Sequence, residues 1–448
     1  MNEYVSFIDI FLCCVLLICF YFYGSSRKNR LIETEPYYRY FLPGLFVKVL
    51  GGLGLCFVYL YYYEGGDTLA YFHDNKCISR LFMENPAAAF KFTFGQVDQQ
   101  LLSSFDSYTD YPVYLFDSHA IYVVKITWIL SLITFNSYLG QTMLISLLSF
   151  LVMWRLYKMF ITEFPMLQKG LAYAILFIPS VVFWGSGLLK DTITLASLAL
   201  FTSSFYRIIK LKSGYFLNSI IMIVSTWAMI RIKPYIFIAL LPGILVWFSR
   251  YQMEKMKNKM IRSALTPILL FITLFLAFLF LRNMGESLGE YSLSNVVDRA
   301  VVSQQELKQD YYHGSSFDIG NIDPSLSGIL AKAPIAITSA LFRPFIWETY
   351  NPAMIVSGVE NLIILAFTLY LLVKLRVYNF FRLVFNHPLL FFCVSFSLFF
   401  AFSVGLSTSN FGALVRYKIP AIPFFVASLV ITNYYYLEMK KEEIKKKE

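Results

Sequence analysis

The feature that most limits this chain is a series of apolar runs, each about as long as the hydrocarbon core of a bilayer is thick. A helix needs about 20 apolar residues to cross that core. Runs of this kind fall near 6–24, 41–63, 140–158, 170–187, 190–208, 215–231, 234–249, 264–282, 354–375, 388–405 and 419–436. In lipid every backbone N–H and C=O has to be bonded within its own element, so the runs are expected to be helices. The predicted fold class is an all-α membrane protein, a polytopic bundle of about 11 transmembrane helices. Charged residues make up 15% of the chain, against roughly 25% in soluble domains. The net charge of +10 would suggest nucleic acid in a soluble protein, but most Lys and Arg sit in short clusters between apolar runs, so nucleic acid is not an expected partner.

Those clusters set an expected sidedness. They lie at Arg27/Lys28/Arg30, Arg155/Lys158/Lys169, Arg207/Lys210/Lys212, Lys255 through Arg262, Lys374/Arg376/Arg382 and the tail KKEEIKKKE. Each follows an odd-numbered crossing, and Lys and Arg concentrate in cytoplasmic loops. The expectation is a multi-pass protein of a cell (inner) membrane with its N-terminus outside and its C-terminus cytoplasmic. The first run precedes its basic cluster and lacks a small-residue cleavage site, which reads as a retained span rather than a signal peptide. HAIYVVKITWILSLITF (119–135) would break the charge rule if it crossed. It is short and carries Lys125, so an in-plane or re-entrant helix is expected, with a twelfth span as the rival.

The organisation read from this pattern is an extra N-terminal span in 1–30, a polytopic catalytic membrane domain in 31–436 and a charged cytoplasmic tail in 437–448. Two long segments, 64–139 and 283–353, become external loops. Loops beyond about 12–15 residues are usually functional or disordered, and the apolar stretches in these predict short interfacial helices on the external side.

The sharpest local signal is YYYEGGDTLAYFHD (61–74), where Asp67 follows a Gly-Gly pair just beyond the second run. A carboxylate at the edge of hydrocarbon can act as general base or hold a cation. It is equally a natural N-cap for a helix resuming at Thr68. Asp74 follows one heptad later, on roughly the same helix face. In FIPSVVFWGSGLLKDTITLASL (177–198) a Gly185-Ser186-Gly187 turn is followed by Lys190 and Asp191, where Lys190 could neutralise an anionic group with Asp191 orienting it. Four further cations, Arg231, Lys233, Arg416 and Lys418, and a fifth, Arg343, fall on the same predicted side, against the usual charge bias. Phosphate binding explains them, and pairing with Glu348, Glu360 or loop acids is the alternative. Glu360, inside the ninth run, is a candidate as an intramembrane carboxylate. Tyr71, Trp184, Tyr235 and Trp347 stand near these charges and could stack on sugar rings.

The four histidines show no zinc-ligand spacing, the six cysteines form no framework, and no phosphate-binding loop or nucleophile-elbow motif is present, so no metal site is expected from spacing alone.

An acid directly after an early span, a long external loop with membrane-parallel helices, about eleven spans and scattered external Arg and Lys resemble the GT-C class of polytopic glycosyltransferases. The resemblance is one of layout across the membrane portion, and this chain has a single GGD where many members carry an acidic pair. It implies a polyprenyl-phosphate-linked sugar donor, a glycan, lipid or protein acceptor, and surrounding membrane lipids as partners. It implies Asp67 as the first-loop acid, a catalytic base or metal ligand, with Asp74 nearby as a second catalytic candidate. Lys190, Asp191, Arg231, Lys233, Arg343, Glu348, Arg416 and Lys418 would be substrate- or phosphate-binding residues. It requires no cofactor and leaves room for a divalent metal. The layout is similar as well to surface-polysaccharide polymerases and ligases, and a lipid-linked oligosaccharide transporter or flippase is the non-enzymatic alternative. In a cysteine-free background, a single cysteine placed beside Lys190 or Arg416 is expected to react with an impermeant maleimide added from outside intact cells; labelling only after permeabilisation would reverse the assigned topology.

Overall fold

The structure, a computed structural model, describes residues 4–254, 268, 317, 320, 326–350 and 352–446. The expected span 264–282 (apart from residue 268), the cluster Lys255 through Arg262 and most of the expected loop 283–353 lie outside the described residues. Among the described residues the fold is all-α, with eight helices long and apolar enough to cross a membrane, or nine if one bent pair counts as a single span.

In chain order the helices are α1 (Phe7–Leu31), α2 (Phe41–Tyr61), α3 (Asp67–Glu84), α4 (Pro86–Phe94), α5 (Gln99–Leu102), α6 (Ile121–Thr127), α7 (Ile129–Ile133), α8 (Tyr138–Glu163), α9 (Gln168–Leu176), α10 (Pro179–Trp184), α11 (Lys190–Ile209), α12 (Tyr215–Ile232) and α13 (Pro234–Glu254). After the undescribed stretch come α14 (Leu326–Ala331), α15 (Ala333–Phe342), α16 (Pro352–Asn386), α17 (Pro388–Ser407), α18 (Phe411–Tyr417) and α19 (Ile422–Lys445).

Three expected segments differ from simple spans. The run 170–187 is not one helix: α9 ends at Leu176 and α10 starts at Pro179, whose ring removes the N–H that would continue the ladder. The last run, 419–436, falls in α19, which is bent through 67° from the preceding α18, and α19 carries the charged tail on as helix as far as Lys445. The segment expected in-plane forms α6 and α7, an apolar stretch of 13 residues from Ile121 to Ile133. At about 1.5 Å per residue it reaches only about 20 Å, short of the roughly 30 Å hydrocarbon core.

The chain divides into two compact units. The first comprises Met1–Leu156, Val181–Leu200 and Val224–Lys233, and the second Tyr157–Ser180, Phe201–Ile223 and Pro234–Glu448. In the first unit the expected loop 64–139 is an ordered helical assembly, α3 to α7. Its core joins Tyr71, Phe72, Ile78, Phe92, Val124 and Trp128 to Cys56 and Leu60 of α2. A buried polar chain fixes α3 at its centre: Thr127 donates to Asn75 (3.0 Å), Asn75 to Gln141 (3.0 Å), and Gln141 to Ser131 (2.7 Å). With every member partnered, such a chain specifies one arrangement of α3, α6, α7 and α8.

The second half of the broken run is held by α2. Lys48, buried within α2, donates to the Val181 carbonyl (2.9 Å), and Ser149 and Ser146 donate to the carbonyls of Gly185 (2.8 Å) and Ser186 (2.6 Å). The Ser146 and Ser149 bonds satisfy carbonyls that the interrupted helix would otherwise leave orphaned in an apolar surround, and Lys48 adds a second donor to a carbonyl that already accepts from the Gly185 amide (3.1 Å). A Cβ on Gly51 would come within 2.7 Å of the Val182 carbonyl oxygen, so glycine is what lets the two backbones touch.

In the second unit α17 is the hub, packed by α13, α15, α16, α18 and α19. Phe392, Phe396 and Phe400 form a stacked ladder along it with centroids 6.1 and 5.7 Å apart, and Phe424 of α19 meets the first two edge-on. Gly405 lies directly against the Ala336 backbone of α15. Gly405→Leu is expected to cost at least about 1–3 kcal/mol through overpacking against a backbone that cannot rotate away, read as a lowered thermal midpoint in detergent, whereas Gly65→Ala, where an added Cβ meets nothing, should leave the midpoint unchanged.

Candidate functional site

The first unit gathers charged and aromatic side chains around the segment 110–122, and Asp67 opens that group. Helix α2 ends in a tight turn in which Tyr62 and Tyr63 both donate to the Val58 carbonyl and Gly65 donates to that of Tyr59. Gly66 then takes φ 106° and ψ −167°, open in practice only to glycine, with its Cα packed on the Tyr59 ring. Helix α3 therefore starts at Asp67 with Gly66 as N-cap, and no side chain caps it. The N-cap alternative for Asp67 is thus corrected: it occupies the first helical position. Its Oδ1 accepts a hydrogen bond from the Tyr114 hydroxyl (3.0 Å), and the residue is half-buried.

Asp74 lies two turns further along α3 and is fully buried. Its Oδ1 and Oδ2 accept from the backbone N–H groups of Val113 (2.6 Å) and Tyr114 (2.8 Å). Tyr114 thus bridges both acids, with its amide on Asp74 and its hydroxyl on Asp67, and its ring rests 4.7 Å from that of Tyr71. Asp74 positions the partner of Asp67; with its oxygens turned into the loop backbone it does not itself face outward. Tyr71 is fully buried, so it packs the site and offers no face to a sugar.

The next contacts follow the chain. Asp117 caps the turn into α6 by accepting from the amides of His119 (2.8 Å) and Ala120 (2.5 Å), and it stands 3.6 Å from the Lys190 ammonium. Burial raises its carboxyl, but the two amides and Lys190 outweigh that and hold it below the usual carboxylate range. Lys190 is therefore oriented by Asp117. Asp191, which was expected to orient Lys190, is fully buried and pairs with the buried Lys233. That ion pair joins α11 to the end of α12 and sets the position of Arg231 two residues earlier. Arg231 is exposed: its carbonyl meets His119 Nδ1 at 2.8 Å, and its guanidinium lies 5.4 Å from the Tyr122 ring centre. Lys125 reaches the same ring at 5.4 Å and donates to the Gly95 carbonyl (2.8 Å). Burial, then the nearby Arg231 charge, holds its ammonium below the ordinary lysine value.

Lys190, Arg231 and Lys125 thus form a cationic arc along 117–125, the continuation of the stretch that carries Tyr114 to Asp67. The like charges of Arg231 and Lys125 beside one ring repel, and an anion placed between them would relieve the repulsion. Tyr114, Asp117, His119 and Tyr122 were not expected from sequence. The Asp117-Ser118-His119 step before an apolar run does carry a helix-start signal. A second group on α3 brings His73, Cys77 and Asp110 together, with metal-capable atoms all within 4.8 Å of one another. Asp74, then Cys77, push His73 up to about 11 against the opposing effect of burial, with Asp110 adding to the rise. The spacing His73 to Cys77, one helical turn, was present in the sequence.

The remaining expected residues belong to the second unit. Arg343 is held by Glu348, with Nε 3.0 and 3.1 Å from the two carboxylate oxygens, and its guanidinium lies 4.7 and 5.2 Å from the centres of the mutually stacked Phe317 and Phe411 rings. Lys418 is fully buried, donating to Asn361 (2.6 Å) and to the Arg343 carbonyl (3.1 Å). Glu360 accepts from the amide (2.8 Å) and hydroxyl (2.6 Å) of Ser180, where it serves the start of α10. These contacts are the pairing alternative realised for Arg343 and an internal fastening for Lys418. Arg416 sits half-exposed in the last turn of α18. Trp347 is 72% exposed and stacks on Phe345 at 4.9 Å, and Tyr235 is stacked on Phe400 at 5.8 Å.

Removing one partner of a buried pair strands the other charge. Asp191→Asn is expected to destabilise the protein by about 3–5 kcal/mol, measured by thermal unfolding in detergent, while Asp191→Asn combined with Lys233→Met should recover most of that loss.

Comparison with family models, with curated proteins and with solved structures finds no match for this chain.

Proposed function

We propose that this chain is a membrane-embedded glycosyltransferase that moves a sugar from a polyprenyl-phosphate-linked donor to a hydroxyl of a glycan, lipid or protein acceptor at the outer face of the cytoplasmic membrane. One observation carries the reading: a half-buried carboxylate, Asp67, and a cationic arc of Lys190, Arg231 and Lys125 are built around one ordered segment, 110–122. A transferase of this kind needs a base for the acceptor and positive charge for the leaving group, and these two needs are met by different ends of the same segment.

In the proposed reaction the acceptor hydroxyl gives its proton to Asp67 as its oxygen attacks the anomeric carbon. The bond from that carbon to the phosphate oxygen breaks, and its electron pair leaves with the lipid phosphate. Tyr114 holds Asp67 in place and Asp74 holds Tyr114. Arg231, exposed at the arc, has the planar donor fork that suits phosphate oxygens, and Lys190 and Lys125 supply point charges that gain strength as negative charge develops. Asp191 and Lys233 act in this scheme as the fastening beneath Arg231 and Lys190. An O-antigen or exopolysaccharide polymerase or ligase would use the same chemistry with a lipid-linked oligosaccharide as donor. Transport finds less support, because the buried charges within helices, Lys48 and Glu360, are each bonded to the broken segment 179–187 and stabilise a fixed interruption.

Purified protein is expected to consume a polyprenyl-phosphate monosaccharide, or a polyprenyl-diphosphate oligosaccharide if it polymerises, in the presence of acceptor. Asp67→Asn should abolish turnover, Arg231→Ala should lower it by about 100-fold, and Tyr114→Phe should lower it by about tenfold, in the range for loss of one charge-stabilising or positioning contact. Full activity in Asp67→Asn would remove it from the mechanism, and no consumption of either donor class would overturn the enzymatic reading.

A further inference from the structure

The group on α3 beside the proposed site has the donor chemistry of a metal centre. His73 and Cys77 stand one helical turn apart on the same face, and Asp110 approaches from the loop. His73 Nε2 lies 3.1 Å from Asp110 Oδ2, and the Cys77 sulfur lies 3.8 Å from each ring nitrogen. Zinc–ligand bonds of about 2.0–2.3 Å in a tetrahedral arrangement place ligand atoms roughly 3.3–3.6 Å apart. The observed separations bracket that range, so small side-chain rotations would bring the three donors onto one ion.

The surroundings of His73 add a second argument. With Nε2 directed at Asp110, the other ring nitrogen, Nδ1, is 3.2 Å from Asp74 Oδ1. A carboxylate behind the non-ligating nitrogen is the arrangement that fixes the tautomer and orientation of metal-bound imidazoles. Asp74 is fully buried and locked by the Val113 and Tyr114 amides, so it is a rigid support. Asp110 is held as well: its amide donates to the Asp106 carbonyl (2.9 Å), and its Oδ1 accepts from the Tyr111 amide (2.8 Å), leaving Oδ2 towards His73. The donor set also selects among ions. One thiolate, one imidazole and one carboxylate suit zinc and its neighbours and do not suit magnesium or calcium, which take oxygen. Cys77 is buried and Asp110 is exposed, so the open side of the group faces the solvent end of the loop.

We propose that His73, Cys77 and Asp110 bind one zinc-like divalent cation, leaving a coordination position for an oxygen ligand from solvent or substrate. The ion would tie α3 to the loop 106–114 at the point where Asp74 already joins them, and so stiffen the segment that carries Tyr114 to Asp67. The proposal stands on ligand geometry and is independent of the transferase reading.

The test is metal binding by the full-length protein in detergent, stripped with chelator and titrated with Zn²⁺ and with Co²⁺ as a spectroscopic probe. One equivalent per chain is expected, with a thiolate-to-cobalt charge-transfer absorption that Cys77→Ser removes. Changes outside the direct ligand set already cost about 10- to 100-fold in affinity, so His73→Ala and Cys77→Ser should weaken zinc by more than about 100-fold. Asp110→Asn, at an exposed loop position, should weaken it by at least about tenfold, and thermal unfolding of each variant reports that it is folded. Failure of the wild type to bind zinc stoichiometrically overturns the proposal. So does Co²⁺ bound without the thiolate charge-transfer band, or zinc bound equally well by Asp110→Asn and Cys77→Ser.

Discussion

The Asp74 carboxylate is the contact on which the candidate site rests. It is fully buried, and an ionised carboxylate in that position is tolerable only when its oxygens are bonded. Two consecutive loop amides and the adjacent imidazole provide those bonds. The arrangement runs in both directions: the loop satisfies the acid, and the acid fixes the loop. Because Tyr114 is one of the two residues so fixed, its hydroxyl is delivered to Asp67 seven residues back along α3. The same fixed stretch leads into Asp117, which holds Lys190, and into the His119–Tyr122 turn that meets Arg231. One buried acid therefore organises, through backbone amides, a segment that meets Asp67 through Tyr114 and meets Lys190 and Arg231 through Asp117, His119 and Tyr122.

A second constraint comes from lipid. Helix α10 is a short interruption between α9 and α11, and an interruption at membrane depth has to have its carbonyls bonded by protein. Lys48, Ser146 and Ser149 reach those carbonyls from α2 and α8, and Glu360 reaches the amide of Ser180. Ionisable residues within spans are ordinarily read as functional. Here two of them have a structural reason: Glu360 satisfies the Ser180 amide at the start of α10, and Lys48 adds a second donor to the Val181 carbonyl, which already accepts from the Gly185 amide.

The cations divide by the same test of what they touch. Lys233 and Lys418 are buried, the first on a carboxylate and the second on a carbonyl and an amide oxygen. Arg343 is spread across a carboxylate and two aromatic faces. Lys190 and Lys125 are half-buried and Arg231 is exposed, set on rings, a single carboxylate and a carbonyl. A lysine whose donors are directed into the core contributes to the fold, while an arginine resting on a ring keeps its hydrogen-bonding edge for a ligand.

What the sequence determined by itself was the solvent and the class of fold. Twenty-residue apolar runs admit only helices in lipid, and their spacing marked eight of the spans directly. The turn at Gly65-Gly66 and the acid behind it were legible too, because backbone at φ 106° requires glycine. The segment 119–135, read from its length and its lysine as in-plane or re-entrant, forms a helical stretch of 13 residues. Only the tertiary structure decided which charges are structural. Asp191 next to Lys190 looked like its partner, but adjacent residues on a helix point about 100° apart, so Asp191 turned inward to Lys233 and Lys190 turned to Asp117 from a loop seventy residues away in sequence. The same holds for His73, Cys77 and Asp110: two of the three stood one turn apart in plain view, and the third is supplied by a loop whose approach depends on Asp74. Pairing across such distances is set by how helices pack, and hydropathy along a chain carries no record of it.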